Sequence, residues 1–130
     1  MMRLALLLAA TLSLQACSIL PSSFDSQEHA RLVTINQLSA DNRVCATRDL
    51  AQTTSLEITR EADWVHRYGA SLGNNENMTH MHANLLAMSR ELSERYGRGE
   101  VSVVYCRAKL DNIHKATQTM IGVSARRPRL

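Results

Sequence analysis

Apolar positions fall into one solid block followed by four spaced stripes. The block is Leu4 to Leu14, broken only by Thr11 and Ser13. A membrane-spanning helix needs about 20 residues, so this block is too short to cross a bilayer. The first stripe is Leu32, Ile35 and Leu38 on one helical face, flanked by Ala30 and Val33. Asp25-x-x-Glu28 has the form of a capping box, with Phe24 before it as a staple. Together they predict a helix from about residue 26 to Cys45. Ala46 to Thr53 is weakly periodic and reads as a loop. Thr54-x-x-Glu57 is a second capping box, and Ile58, Ala62, Val65, Gly69 and Leu72 follow at steps of three and four. Gly73-Asn74-Asn75-Glu76-Asn77 is a strong break.

The third stripe is the clearest: Met78, Met81, Leu85, Met88, Leu92 and Tyr96. Asn77 stands where an N-cap belongs, and Gly97 where a C-terminal glycine belongs. The fourth is Val103, Cys106, Leu110, Ile113, Thr117 and Met120. Val101 to Tyr105 is rich in β-branched residues, but the helical period that continues from it, and the lack of a second strand to pair with, predict helix. Gly122 and Arg126 to Leu130 read as a frayed basic tail. The expected fold is all-α: a small four-helix bundle over 26–121, after a tether at 17–25 and before a tail at 122–130.

Charge narrows the partners. The formal net charge is +3, and Arg126, Arg127 and Arg129 crowd the last five residues. Without that tail the folded part is near neutral, so no nucleic acid is expected as a partner.

Arg3, the apolar block and small residues beyond it have the layout of a secretory signal. The ending is more specific. Leu14-Gln15-Ala16-Cys17 resembles the lipobox of bacterial lipoprotein precursors. That resemblance implies a signal peptide over 1–16, diacylglycerol on the Cys17 sulfur, cleavage before Cys17 and acylation of the new amine. Two or three acyl chains make a stable membrane anchor where one does not. The competing reading is an ordinary signal peptide followed by a stray cysteine.

With Cys17 taken by lipid, Cys45 and Cys106 remain. Outside the cytoplasm two such cysteines are most simply a disulfide, which would tie the first helix to the last. Two free thiols are the alternative. Their wide separation and the lack of a CxxC do not suit a compact zinc site.

Catalytic signatures are missing: no nucleophile elbow, HExxH, phosphate loop or acidic metal loop occurs, so an enzyme is not expected and no cofactor beyond the covalent lipid is implied. Met78, His80, Met81 and His82 have donor types that suit Cu(I). The methionines, however, lie in the core stripe, and packing is the favoured reading. Glu57, Arg60, Glu61 and Asp63 look like a solvated face, and His66 and His114 like boundary residues. Trp64 and Tyr68 either widen the buried face or edge a groove. The expected groove for an amphipathic partner helix lies between the second and third helices, near Ile58, Val65, Tyr68, Leu72 and Leu86. The arginine tail is either solvated or touches anionic lipid head groups.

The order of features carries a family resemblance. A lipobox and tether precede a helix ending near Cys45, then Arg48-Asp49-Leu50, a long third helix, and a last helix with Tyr105-Cys106-Arg107-Ala108-Lys109-Leu110-Asp111-Asn112. This resembles the PulS/OutS-type pilotins of type II secretion systems over about residues 30 to 115. It departs at Ala51, where members usually carry proline, and at Tyr68-Gly69, where they carry Gly-Trp. The resemblance implies a four-helix fold with a disulfide from first to last helix. It also implies an outer-membrane lipoprotein facing the periplasm, whose apolar groove grips a C-terminal segment of a secretin subunit. Ser18 is compatible with outer-membrane sorting. The rival expectation is an accessory or exclusion lipoprotein of a phage or plasmid transfer system.

Overall fold

A computed structural model describes residues 22–130; the apolar block and the lipobox with Cys17 lie outside the described residues. Four helices follow one another: α1 (Ser26–Asp41), α2 (Arg48–Ser71), α3 (Glu76–Arg98) and α4 (Val103–Ala125). Among the described residues there is no strand. Each helix packs on its neighbours in chain order, and α1 closes the ring on α4. Short connections between consecutive helices make this an up-and-down four-helix bundle. No helix among the described residues is long and apolar enough to cross a membrane.

The core is the four stripes turned inward. Leu32 and Ile35 of α1, Ile58 and Val65 of α2, Leu85 and Leu92 of α3, and Leu110 and Ile113 of α4 are all fully buried. Burying such side chains is worth roughly 1.5–3 kcal/mol each, which is what holds helices of modest intrinsic stability together.

Helix ends depart from the sequence expectation in instructive ways. α1 ends at Asp41, before Cys45. Asp25 caps its start, accepting from the amides of Gln27 (3.0 Å) and Glu28 (2.9 Å). Glu28 is no capping-box partner: its carboxylate turns into the bundle, where it meets Asn75 and Arg127. α2 starts at Arg48, not at Thr54, capped by the Thr47 hydroxyl on the Leu50 amide (3.2 Å). Its first turns bury Ala51, Thr54 and Ser55. Small and hydroxyl-bearing residues make that buried face, so the apolar pattern does not announce it.

α3 begins at Glu76, runs through Gly97 and stops at Gly99, whose φ of 150° is open to glycine without strain. The β-branched stretch before Tyr105 is helical from Val103, capped by the Ser102 hydroxyl on the Tyr105 amide (3.1 Å). α4 continues through Gly122 to Ala125, beyond the expected end of the bundle.

Candidate functional site

The bundle has two chemically different ends. One gathers the α1–α2 loop, the α3–α4 turn and the disulfide. The other gathers Ser22, the start of α1, the α2–α3 turn and the C-terminal segment.

At the disulfide end, Cys45 and Cys106 are bonded, with Cα atoms 6.3 Å apart. Cys45 lies in the loop, in the left-handed region at φ 52°, and Cys106 is in the first turn of α4. Around this bond, apolar side chains face outward. Val104 is 78 % exposed and Val44 61 %, and Val103 and Leu50 are also exposed. The Arg107 Nε donates to the Val44 carbonyl (3.2 Å), and the Arg48 guanidinium donates to the carbonyls of Tyr96 (3.2 Å) and Gly99 (3.4 Å). These bonds and the disulfide fix the valines and Leu50 to one rigid end. Exposed apolar residues scattered singly are ordinary; here four lie in the segments that flank the disulfide and these bonds.

Beside it, Arg95 lies over the Tyr105 ring (4.4 Å). Glu91 accepts from Lys109 (2.7 Å) and from the Tyr105 hydroxyl (2.9 Å). The Lys109 hydrogen bond, then that of Tyr105, holds the Glu91 carboxyl below its ordinary pKa.

The opposite end holds a buried polar cluster that sequence reasoning missed. Glu28 is fully buried. Its Oε1 accepts from Arg127 Nη1 (3.0 Å), and its Oε2 accepts from Asn75 Nδ2 (2.7 Å). Asn75 Nδ2 also donates to the Gly69 carbonyl (3.0 Å). Asn75 Oδ1 accepts from Arg127 Nη2 (2.6 Å) and from the Ser22 hydroxyl (3.3 Å). The Arg127 side chain is only 9 % exposed. The expected frayed tail is therefore fastened: the Phe24 amide donates to the Pro128 carbonyl (2.8 Å), and Arg129 stacks on the Phe24 ring (4.1 Å). The cause is charge pairing, since a buried carboxylate demands a cation. No local pattern links residues as far apart as 28 and 127.

His82 stands against this cluster, fully buried, with neither ring nitrogen hydrogen-bonded among the described residues. A Cβ on Gly69 would lie 2.5 Å from its Nδ1 and 2.6 Å from its Cε1, so only glycine lets the ring rest on α2. Burial, then the charges of His66 and Arg127, lowers the His82 pKa to about 4 from 6.5. The ring is neutral at pH 7, and its 3.9 Å approach to Glu28 is no ion pair there.

A prediction follows from the sign of that shift. As pH falls below 6.5 the unfolded chain takes up the proton first, and stability present above 6.5 is lost progressively down to about 4. The loss is about 3 kcal/mol. Urea unfolding across this window shows the slope in the native protein, and His82→Leu flattens it; equal slopes in both would contradict the assignment.

The residues expected to form a partner groove do not form one surface. Ile58 and Val65 are fully buried and Leu86 is 5 % exposed, so all three belong to the core. Leu86 neighbours Leu85 in sequence, and α3 buries a stripe broad enough to take both, together with Ser89 and Ser93. Tyr68 and Leu72 line two separate hollows: Tyr68 with Arg60, Asp63, Trp64 and Arg67, and Leu72 with Ala70, Glu76 and His80. Trp64 and Tyr68 stack on each other (4.7 Å). Arg31 lies over Trp64 (4.6 Å), and the Tyr68 hydroxyl donates to Asp25 (3.0 Å). The aromatic pair thus serves the α1–α2 contact.

Met78 is buried and Met81 partly so, packed against the core, while His80 is exposed. Among the described residues no three His, Cys, Asp or Glu side chains are grouped to hold a metal ion. Comparison with family models, curated proteins and solved structures finds no match to this chain.

Proposed function

We propose that this chain is an outer-membrane lipoprotein of the pilotin class, held by lipid on Cys17, which binds the C-terminal segment of a secretin subunit and carries it to the outer membrane. The observation that carries the reading is the outward-facing apolar end at Val44, Leu50, Val103 and Val104. It lies at the far end of the bundle from Ser22, where the chain arrives from the anchor. Helices of this length separate the two ends by about 35 Å at 1.5 Å per residue. A protein anchored at one end offers the other to a partner, and a short amphipathic helix with apolar anchors suits such a surface.

The disulfide lends further support: the family resemblance implies a bond from the first helix to the last, and Cys45, just beyond the first helix, is bonded to Cys106 at the start of the last. The partner surface is thereby moved from the α2–α3 seam, whose apolar residues are used by the core, to the disulfide end.

The test is binding of the secretin C-terminal peptide to Val104→Asp and Val44→Asp variants. Both side chains are exposed, so far-UV circular dichroism stays native while affinity falls at least about tenfold, the loss expected from one desolvated valine contact. Native affinity in both variants would remove the site.

A further inference from the structure

We infer that the tether end of the bundle carries a seat for an anionic phospholipid head group. A cleft of about 350 Å³ opens there, lined by Asn74, Asn77, Met81, Val123 and Arg126, with Ser22 at its edge. Its chemistry is mixed in a particular way: amide side chains and a guanidinium stand beside methionine and valine.

Arg126 is exposed and, unlike Arg127, has no acidic partner among the described residues. Residues 1–21 contain no Asp or Glu, so none can come from there. Among the described residues Arg129 likewise pairs with no carboxylate, and it lies on Phe24. Glu76 faces the neighbouring hollow with Leu72 and His80. The cleft therefore presents an unpaired guanidinium beside apolar side chains, the complement of a phosphodiester with the first carbons of its chains.

Chain length adds the second argument. From Cys17 to Ser22 is five residues, which span at most about 18 Å fully extended. An anchor on Cys17 holds the cleft within that distance of the bilayer surface, where each cation near anionic lipid is favoured severalfold. The inference rests on the lipoprotein reading above. It gives the buried Arg127 a purpose too: by fastening the segment to Glu28 and Asn75 it keeps the neighbouring Arg126 at the cleft.

The experiment uses the purified processed protein, mixed with phosphatidylcholine vesicles with or without phosphatidylglycerol. Flotation and amide exchange of residues 122–128 are both read. The expected result is flotation with both vesicles, and exchange about fivefold slower with phosphatidylglycerol, lost in Arg126→Gln. Flotation with both and equal exchange overturns the seat and leaves the anchor standing. Flotation only with phosphatidylglycerol supports the seat and overturns the anchor. Flotation with neither overturns both. Equal slowing by inorganic phosphate alone, without vesicles, overturns the membrane as the source.

Discussion

Replacing Cys45 and Cys106 together by serine lowers stability by about 4 kcal/mol, because the bond closes a loop spanning 61 residues and removes that freedom from the unfolded chain. For a domain of this size the melting temperature drops by roughly 17 °C. The folded state tolerates the change locally, since the Arg107 bond to Val44 and the Arg48 bonds to the α3–α4 turn still hold the same end. Urea unfolding of the native protein with and without reductant gives the same difference as the double variant. A change below about 1 kcal/mol in either comparison would mean that the loop stays closed by other contacts in the unfolded chain.

Arg127→Met has a comparable effect for a different reason. It removes the cation from a fully buried Glu28 and one donor from Asn75, leaving a carboxylate without its counter-charge away from water. Breaking one side of a buried pair costs about 3–5 kcal/mol. Removing both sides costs much less, so Glu28→Leu combined with Arg127→Met recovers most of the loss. The double-mutant cycle, read from denaturation midpoints, yields a coupling of about 2 kcal/mol or more. Additive losses would show that the two charges are solvated independently and that the C-terminal segment is not fastened.

The sequence made the helices legible wherever the buried face is built from large apolar residues. The stripes of α3 and of the later part of α2 are read correctly because Ile58, Val65, Leu85 and Leu92 repeat at the helical period and all end in the core. It failed where the buried face is small or polar. The first turns of α2 pack Ala51, Thr54 and Ser55, and α1 packs Glu28 and Ser39 beside Leu32 and Ile35.

The disulfide was legible from the cysteine count together with the compartment that the lipobox resemblance implies. The polar cluster was not, because Glu28 sits at the position of a capping-box acid and Arg127 in what reads as a solvated tail. Their meeting is a tertiary event that neither local pattern encodes. The groove failed for a geometric reason: a residue at the margin of a stripe is still core when the helix buries a broad face, and Leu86 is buried beside Leu85, Ser89 and Ser93. The valines beside the cysteines were present in the sequence. The sequence put Val103 first in the buried stripe of the fourth helix; α4 does begin there, but in its first turn both Val103 and Val104 are exposed.

As a pilotin, the chain is proposed to carry a secretin to the outer membrane by means of lipid on Cys17. The most direct measurement of this is the membrane distribution of assembled secretin in host cells with the native gene, with Cys17→Ser and with the gene deleted, after separating inner from outer membranes. The account predicts secretin multimers in the outer membrane with the native gene, and their displacement to the inner membrane in both other strains. Secretin that reaches the outer membrane equally in all three would contradict it.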